Sequence, residues 1–170
     1  VIGDEKWTYS SAYGATMNGW KAGQTNPNED WLISPAVNLS GKTSVRLRFS
    51  HTFGPTGALP STENDKAKYS LWISNDFVDR VENATWTELK GMTYTTKAWE
   101  YIWSEDIYIP QEYLTENCRI AWKYTCVDEC ATWEIKNISL VDMSPYSAAV
   151  AVVPADYSKL THIEIPDSIE

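Results

Sequence analysis

The stretch E-D-W-L-I-S-P-A-V-N-L, residues 29–39, decides the fold of this chain. Its apolar centre has the length of a short β-strand, and Pro35 stops the strand because proline cannot donate a hydrogen bond within a sheet. A turn follows. The stretch is therefore interpreted as scaffold, and only Glu29 and Asp30 at its beginning have side chains with a candidate chemical role.

Other segments alternate apolar and polar residues with a period of two, which buries one face of a strand and exposes the other. The alternating segments are residues 45–49, 69–73, 107–109, 120–124 and 133–140. In the last of them the apolar set changes phase near Lys136 and Asn137, which indicates a β-bulge. Turn-rich stretches separate the strands, and no amphipathic helix of three turns is visible. The pattern predicts an all-β sandwich or barrel.

Length and composition favour one domain with a tail. The chain has 170 residues, of which 43% are hydrophobic. The strand pattern covers residues 1–143, and residues 144–170 have the composition of a linker or tail. With 14 basic and 23 acidic side chains the net charge is -9, which predicts no nucleic-acid partner. No apolar run approaches the roughly 20 residues of a membrane span, so no membrane insertion is expected.

The three cysteines leave two alternatives. Cys126 and Cys130 flank a three-residue segment that resembles a hairpin loop, across which facing residues come close enough for a disulfide. Free, buried thiols are the other alternative, and the state of Cys118 stays open. A zinc site is not favoured, because the spacing lacks nearby histidines.

The chain lacks the residue patterns of common catalytic sites. It contains two histidines, His51 and His162, without a G-x-S-x-G elbow or a reactive-cysteine context. His51 is expected to cap the end of a strand. The E-x-D-x-x-E signature of jelly-roll glycanases is also missing, so we expect no enzyme activity.

A first candidate binding surface combines cations with one tryptophan. The outward residues of the clearest strands are Arg46, Arg48, Trp72, Arg119 and Lys123. If these strands share a sheet, the residues form a basic face that could bind an acidic or sulfated glycan, with Trp72 stacking on a sugar ring. Alternatively, the cations only solvate the sheet and a loop or the tail covers Trp72.

A second candidate surface is aromatic. Trp99, Tyr101 and Trp103 alternate along one segment, with Glu105 beside them, and Trp20 lies far away in the sequence. Sugar sites combine an aromatic plane with a few polar groups that orient hydroxyls. The same three aromatic residues could equally belong to the core.

Seven segments, in order, resemble the choice-of-anchor J or cleaved-adhesin type domain, a jelly-roll sandwich related to galactose-binding and MAM-like modules. They lie within residues 7–143 and read W-x-Y-S-x-x-Y-G-A, D-W-L-I-S-P-A-V-N-L, V-R-L-R-F-S-H, Y-S-L-W-I-S-N-D-F, A-T-W-T-E-L, R-I-A-W-K-Y and A-T-W-E-I-K-N-I. The resemblance implies two antiparallel sheets. It also implies a calcium site in some relatives, for which Glu29 and Asp30 would supply carboxylates here.

The resemblance further implies a non-catalytic binding module that is secreted or held on the outer surface of a bacterium. Its partner would be a glycan, or a host or matrix protein. Residues 160–169 also resemble one unit of a bacterial leucine-rich repeat, although a tail strand is an equal alternative. Two other functions therefore stay open, which are presentation of a following repeat array and an accessory role in a glycan-degrading system. The oligomeric state is not predicted.

Overall fold

The structure of the protein is a computed structural model, which describes residue 3 and residues 5–145. The predicted tail beyond residue 145, including the repeat-like residues 160–169, lies outside the described residues. The strands are β1 (Thr8–Ser10), β2 (Gly14–Met17), β3 (Trp20–Lys21), β4 (Gln24–Thr25), β5 (Asn28–Ile33), β6 (Val45–Gly54), β7 (Tyr69–Ser74), β8 (Thr87–Leu89), β9 (Ile102–Trp103), β10 (Ile107–Tyr108), β11 (Arg119–Cys126) and β12 (Thr132–Asp142).

Helical structure in residues 5–145 is short. One α-helix, α1 (Glu63–Lys66), has a capping box in which Thr62 and Asp65 bond to each other's backbone N–H groups. Three 3-10 turns occupy Thr56–Ala58, Val81–Asn83 and Gln111–Tyr113. No helix in this part of the chain is long and apolar enough to cross a membrane.

The strands form a jelly-roll type sandwich of two antiparallel sheets. One sheet has the order β1-β2-β12-β6-β10, with β9 also paired to β6, and the other has the order β5-β11-β7-β8. The chain passes from one sheet to the other between β5, β6 and β7, and again between β10, β11 and β12. This architecture confirms the predicted fold class, and β3 and β4 add a small hairpin at the side.

The core lies between the two sheets and is rich in aromatic residues. Phe49 and Phe53 from β6, Trp122 from β11 and Trp133 from β12 are almost completely buried. Phe49 meets Trp122 edge to face, with ring centroids 5.5 Å apart. Phe49, Trp122 and Trp133 belong to the apolar sets of the alternating segments, so the period-two pattern predicted these buried positions correctly. Phe53 lies beyond the segment predicted from the sequence, because β6 continues to Gly54.

The stretch that suggested the fold forms an edge strand. β5 pairs only with β11, placing Trp31 opposite Lys123. The last bond of this ladder runs from the Ser34 N–H to the Ile120 carbonyl, at 2.8 Å. Pro35 has no N–H to continue it, so the strand ends where the sequence predicts.

The predicted bulge is present in β12. Its pairing with β6 changes register between Lys136 and Ser139, and Asn137 adopts a left-handed φ of 54°. Asparagine tolerates this conformation better than most residues. The bulge explains why the apolar positions of this strand change phase.

The structure also resolves the cysteine alternatives. Cys126 and Cys130 form a disulfide, while Cys118 is free and buried in the core. The Cβ of an alanine at position 19 would lie 2.6 Å from the Cys126 sulfur, so Gly19 packs directly against the bridge. The disulfide therefore joins the end of β11 to the segment that precedes β12, and the segment that precedes β3 packs against it.

Candidate functional site

The cationic face considered in the sequence is divided between the two sheets. Arg46 and Arg48 lie on β6 of the six-stranded sheet, whereas Trp72 lies on β7 and Arg119 and Lys123 lie on β11 of the four-stranded sheet. The hypothesis of one basic face required these strands to share a sheet, and they do not. The five residues cannot form a single surface, and each group is described separately.

On the four-stranded sheet, Trp72 belongs to a layer of packed indoles. The Trp31 ring centroid lies 5.7 Å from that of Trp72 and 5.1 Å from that of Trp86. Ala121 lies beside Trp72 in the sheet and has no exposed surface. The Trp72 indole N–H donates to the Ser70 hydroxyl at 2.8 Å. This layer resembles a small second core, because each ring contacts another indole and each indole N–H donates a hydrogen bond.

The two cations on this sheet are also engaged. Lys123 lies 3.1 Å from a Glu29 carboxylate oxygen and 5.2 Å from the Trp31 ring centroid. Burial alone would raise the pKa of Glu29, but hydrogen bonds from Trp31 and Lys123 lower it overall. Arg119 donates to the Ser34 carbonyl at 3.1 Å. Neither cation points freely toward solvent.

The predicted calcium pair does not form. Consecutive strand residues point to opposite faces, so Glu29 lies on the outer face with Lys123 while Asp30 points inward and is buried. Burial raises the pKa of Asp30. Asn28 shares its side, and together they offer fewer oxygens than the six to eight that calcium takes. Within residues 5–145, no group of three His, Cys, Asp or Glu side chains could hold a metal ion.

On the six-stranded sheet, the two arginines share one carboxylate. Arg46 donates to Asp106 at 3.2 Å, and Arg48 Nε lies 3.1 Å from the other oxygen of Asp106. The Arg48 guanidinium also lies 5.1 Å from the centroid of the Trp103 ring. Arg48 thus packs on Trp103, a binding residue predicted from the sequence, whose side chain is 47% exposed.

Trp99 begins an aromatic row that continues with the partly buried Tyr101 and the exposed Trp103. Its backbone adopts a φ of 64°, a left-handed conformation that bulky residues rarely use and that often marks functional sites. The Trp99 N–H donates to the Phe53 carbonyl at 2.9 Å. Its indole lies directly on Gly54, where a Cβ atom would collide with the ring. The ring is nevertheless 49% exposed, so one aromatic plane is presented to solvent.

A depression of about 350 Å³ opens beside this ring, lined by Tyr13, Trp99, Tyr101 and Glu134. The Tyr101 hydroxyl donates to Glu134 Oε2 at 2.6 Å. Burial and this bond raise the pKa of Tyr101. Glu134 is largely buried, and among the described residues its other oxygen, Oε1, receives no hydrogen bond. An exposed indole, two phenols and a carboxylate oxygen that can still accept thus surround one space.

Lys136 closes one side of this arrangement. Its ammonium lies 3.4 Å from the centroid of the Tyr101 ring, on the same face of β12 as Glu134. Sequence reasoning found Trp99, Tyr101 and Trp103 but missed Tyr13, Glu134 and Lys136. The positions of Glu134 and Lys136 among the outward residues of β12 were readable, whereas their proximity to Trp99 was not.

A larger depression of about 810 Å³ lies between residues 56–61 and 92–96. Its aromatic residue, Tyr94, is stacked on Phe53 with an interplanar angle of 17°, and its hydroxyl bonds to the Lys66 and Tyr69 carbonyls. Because the Tyr94 ring packs in the core, this larger depression has no aromatic ring on which a sugar could stack.

Comparisons with known proteins identify no family. No family model and no curated protein matches the chain. Among the solved structures that match is a "Family 16 Carbohydrate Binding Module-2", with 12% sequence identity, 79% of this chain and 89% of that chain covered, and a TM-score of 0.38. This likeness is too distant to assign a ligand. The choice-of-anchor J resemblance and the repeat-like tail therefore stay predictions.

Proposed function

We propose that this protein is a non-catalytic carbohydrate-binding module whose site is the depression formed by Tyr13, Trp99, Tyr101 and Glu134. The observation that supports it most is Trp99, an indole held half-exposed on Gly54 by an unusual backbone conformation. A core residue would have no need of this placement. A solvent-facing aromatic plane beside a carboxylate suits a sugar ring, whose C–H face stacks while its hydroxyls donate hydrogen bonds.

The charges favour a neutral sugar over the acidic or sulfated glycan considered from the sequence. Arg46 and Arg48 already share Asp106, and Lys136 lies against Tyr101. Glu134 would repel an anionic group at the depression while accepting hydrogen bonds from hydroxyls. It is also the one carboxylate among the described residues that line the space, whereas glycoside hydrolysis usually requires two.

We further propose that the module acts outside the cell or on its surface. The Cys126–Cys130 disulfide supports this location, because such bonds persist mainly in oxidising compartments. Attachment to a host or matrix protein would then occur through glycans carried by that partner. Presentation of a repeat array and an accessory role in glycan degradation remain the alternatives.

A glycan array followed by titration calorimetry tests the site. Replacing Trp99 with Ala, or Glu134 with Gln, should weaken the best-bound glycan at least about tenfold, which corresponds to roughly 1.4 kcal/mol. Gly54→Ala should do the same by displacing the indole. Gly57→Ala is the matched control, because a Cβ there meets nothing within 4 Å.

Two results would contradict the proposal. Absence of binding to every glycan would remove the carbohydrate function and leave the presentation role. Binding that survives Trp99→Ala unchanged would move the site elsewhere. Circular dichroism of each variant shows whether the sandwich is intact.

A further inference from the structure

Trp20 is a second exposed aromatic residue that the site described above does not include. It is 58% exposed and lies in β3, at the start of the β3–β4 hairpin. Its backbone N–H donates to the Asn18 side-chain oxygen at 2.8 Å. The ring is therefore displayed at the rim of the sandwich, where burial in the core cannot account for it.

The base of this hairpin is anchored to the core. The Gly19 N–H donates to the buried Tyr124 hydroxyl at 3.0 Å, and the Asn26 N–H donates to the Gly19 carbonyl at 2.8 Å. Gly19 also packs against the sulfur of Cys126, within the disulfide. The indole thus projects from a backbone that is held on two sides.

A depression of about 270 Å³ opens beside Trp20. Its lining contains groups suited to hydroxyls, namely the Asn18 amide, the Thr25 and Thr132 hydroxyls and the Glu129 carboxylate. Pro55 and Ala58 add apolar surface. An aromatic plane with hydroxyl-binding groups around it repeats the chemistry of the Trp99 depression.

One cross-strand pair of β12 and β6 lies near both depressions. Thr132, which lines the Trp20 depression, is paired with Gly54, on which the Trp99 indole lies. Glu134, which lines the Trp99 depression, follows Thr132 by two residues on the same face of β12. Two strand residues span about 7 Å, so Thr132 of one depression and Glu134 of the other lie about that far apart along β12.

We propose that these depressions form one extended site that binds an unbranched, neutral oligosaccharide over several sugar units, with Trp99 and Trp20 as its two aromatic subsites. The inference rests on the proposed carbohydrate function. A single terminal sugar would fill the Trp99 depression and leave Trp20 unused. A chain that continues past Thr132 would reach Trp20, whose stacking then adds to the affinity.

Titration calorimetry with a length series of the best-bound glycan, from the monosaccharide to chains of several units, tests this inference. Affinity should rise with length until both subsites are filled. Trp20→Ala should weaken the long chains about tenfold and leave the monosaccharide unchanged, while Trp99→Ala weakens both. Tyr9→Ala is the control, because Tyr9 is 80% exposed but does not line either depression.

The failures are distinguishable. If glycans bind but affinity is independent of length, or if Trp20→Ala leaves the long chains unaffected, the extended site is wrong and the Trp99 site stands. If Trp20→Ala weakens short and long chains equally, Trp20 belongs to the first subsite and the extension is also wrong. If no chain of any length binds, both proposals fail.

Discussion

His51 is a residue whose environment the sequence did not reveal. It was expected to cap a strand end, but it lies within β6 and is fully buried in the core. The Trp133 indole N–H donates to Nδ1 at 3.2 Å, so Nδ1 must be the acceptor. The other nitrogen, Nε2, then donates to the Thr93 hydroxyl at 3.0 Å. Protonation at Nδ1 would place two N–H groups against each other.

This environment predicts a loss of stability in acid. Burial lowers the pKa of His51 from 6.5 to about 4. Between these two pH values the unfolded chain binds a proton that the folded chain does not. The contribution of His51 to the free energy of unfolding is therefore full above pH 6.5 and is lost as the pH falls toward 4. The loss should be on the order of 3 kcal/mol. Urea unfolding at a series of pH values measures it.

Protonation of buried and paired carboxylates also changes stability as the pH falls toward 4. A variant is therefore needed to measure the part that is due to His51. His51→Gln removes the titrating ring. It should be less stable than the wild type at neutral pH, and the difference should shrink as the pH approaches 4. A difference that stays constant with pH would show that His51 does not cause the acid sensitivity.

Among the elements, the two sheets use their outer aromatic residues differently. The indoles of Trp31, Trp72 and Trp86 pack on one another over the four-stranded sheet. On the six-stranded sheet, Trp99 and Trp103 remain about half exposed. We infer that the first layer stabilises the sandwich and that the second presents a binding surface.

Trp72→Ala separates these roles. Loss of a half-buried indole should destabilise the protein by about 2 kcal/mol, less than the 3–5 kcal/mol for a fully buried one. Glycan affinity should stay within about twofold of the wild type, because Trp72 lies on the other sheet. Chemical denaturation and calorimetry on the same sample measure both quantities. A folded Trp72→Ala protein that no longer binds glycan would place the site on the four-stranded sheet.

At the scale of the whole molecule, the net charge is -9. In addition, cations on the outer faces of both sheets already form ion pairs with carboxylates. Exposed ion pairs contribute little to stability, but here they leave few positive charges for an anionic ligand. The molecule as a whole therefore disfavours acidic partners.

Salt dependence tests this conclusion. The affinity for a neutral glycan should be nearly the same at low and high sodium chloride, since screening weakens only interactions between charges. Sulfated glycans should bind more weakly than their neutral counterparts at low salt. Calorimetric titrations of both kinds at two salt concentrations give the comparison. Tight binding of a sulfated glycan that disappears at high salt would contradict the neutral-sugar assignment.

Much of the fold follows from the sequence because strand patterns are local. Alternation of apolar and polar residues predicted the buried faces of β6, β7, β11 and β12, and the phase change predicted the bulge. A proline within the decisive stretch predicted where β5 ends. Each of these properties depends on neighbouring residues and on the period-two geometry of a strand.

Only the tertiary structure decided which side chains meet. The cationic candidates separated because β6 and β11 belong to different sheets, and the packing of β5 decided that Glu29 faces outward beside Lys123 while Asp30 faces inward. Glu134 came to lie beside Trp99, and Trp20 beside Thr132, although they are far apart in the chain. Strand order depends on the packing of distant segments into one core. The sequence by itself therefore determined the scaffold, and the arrangement of strands determined the candidate site.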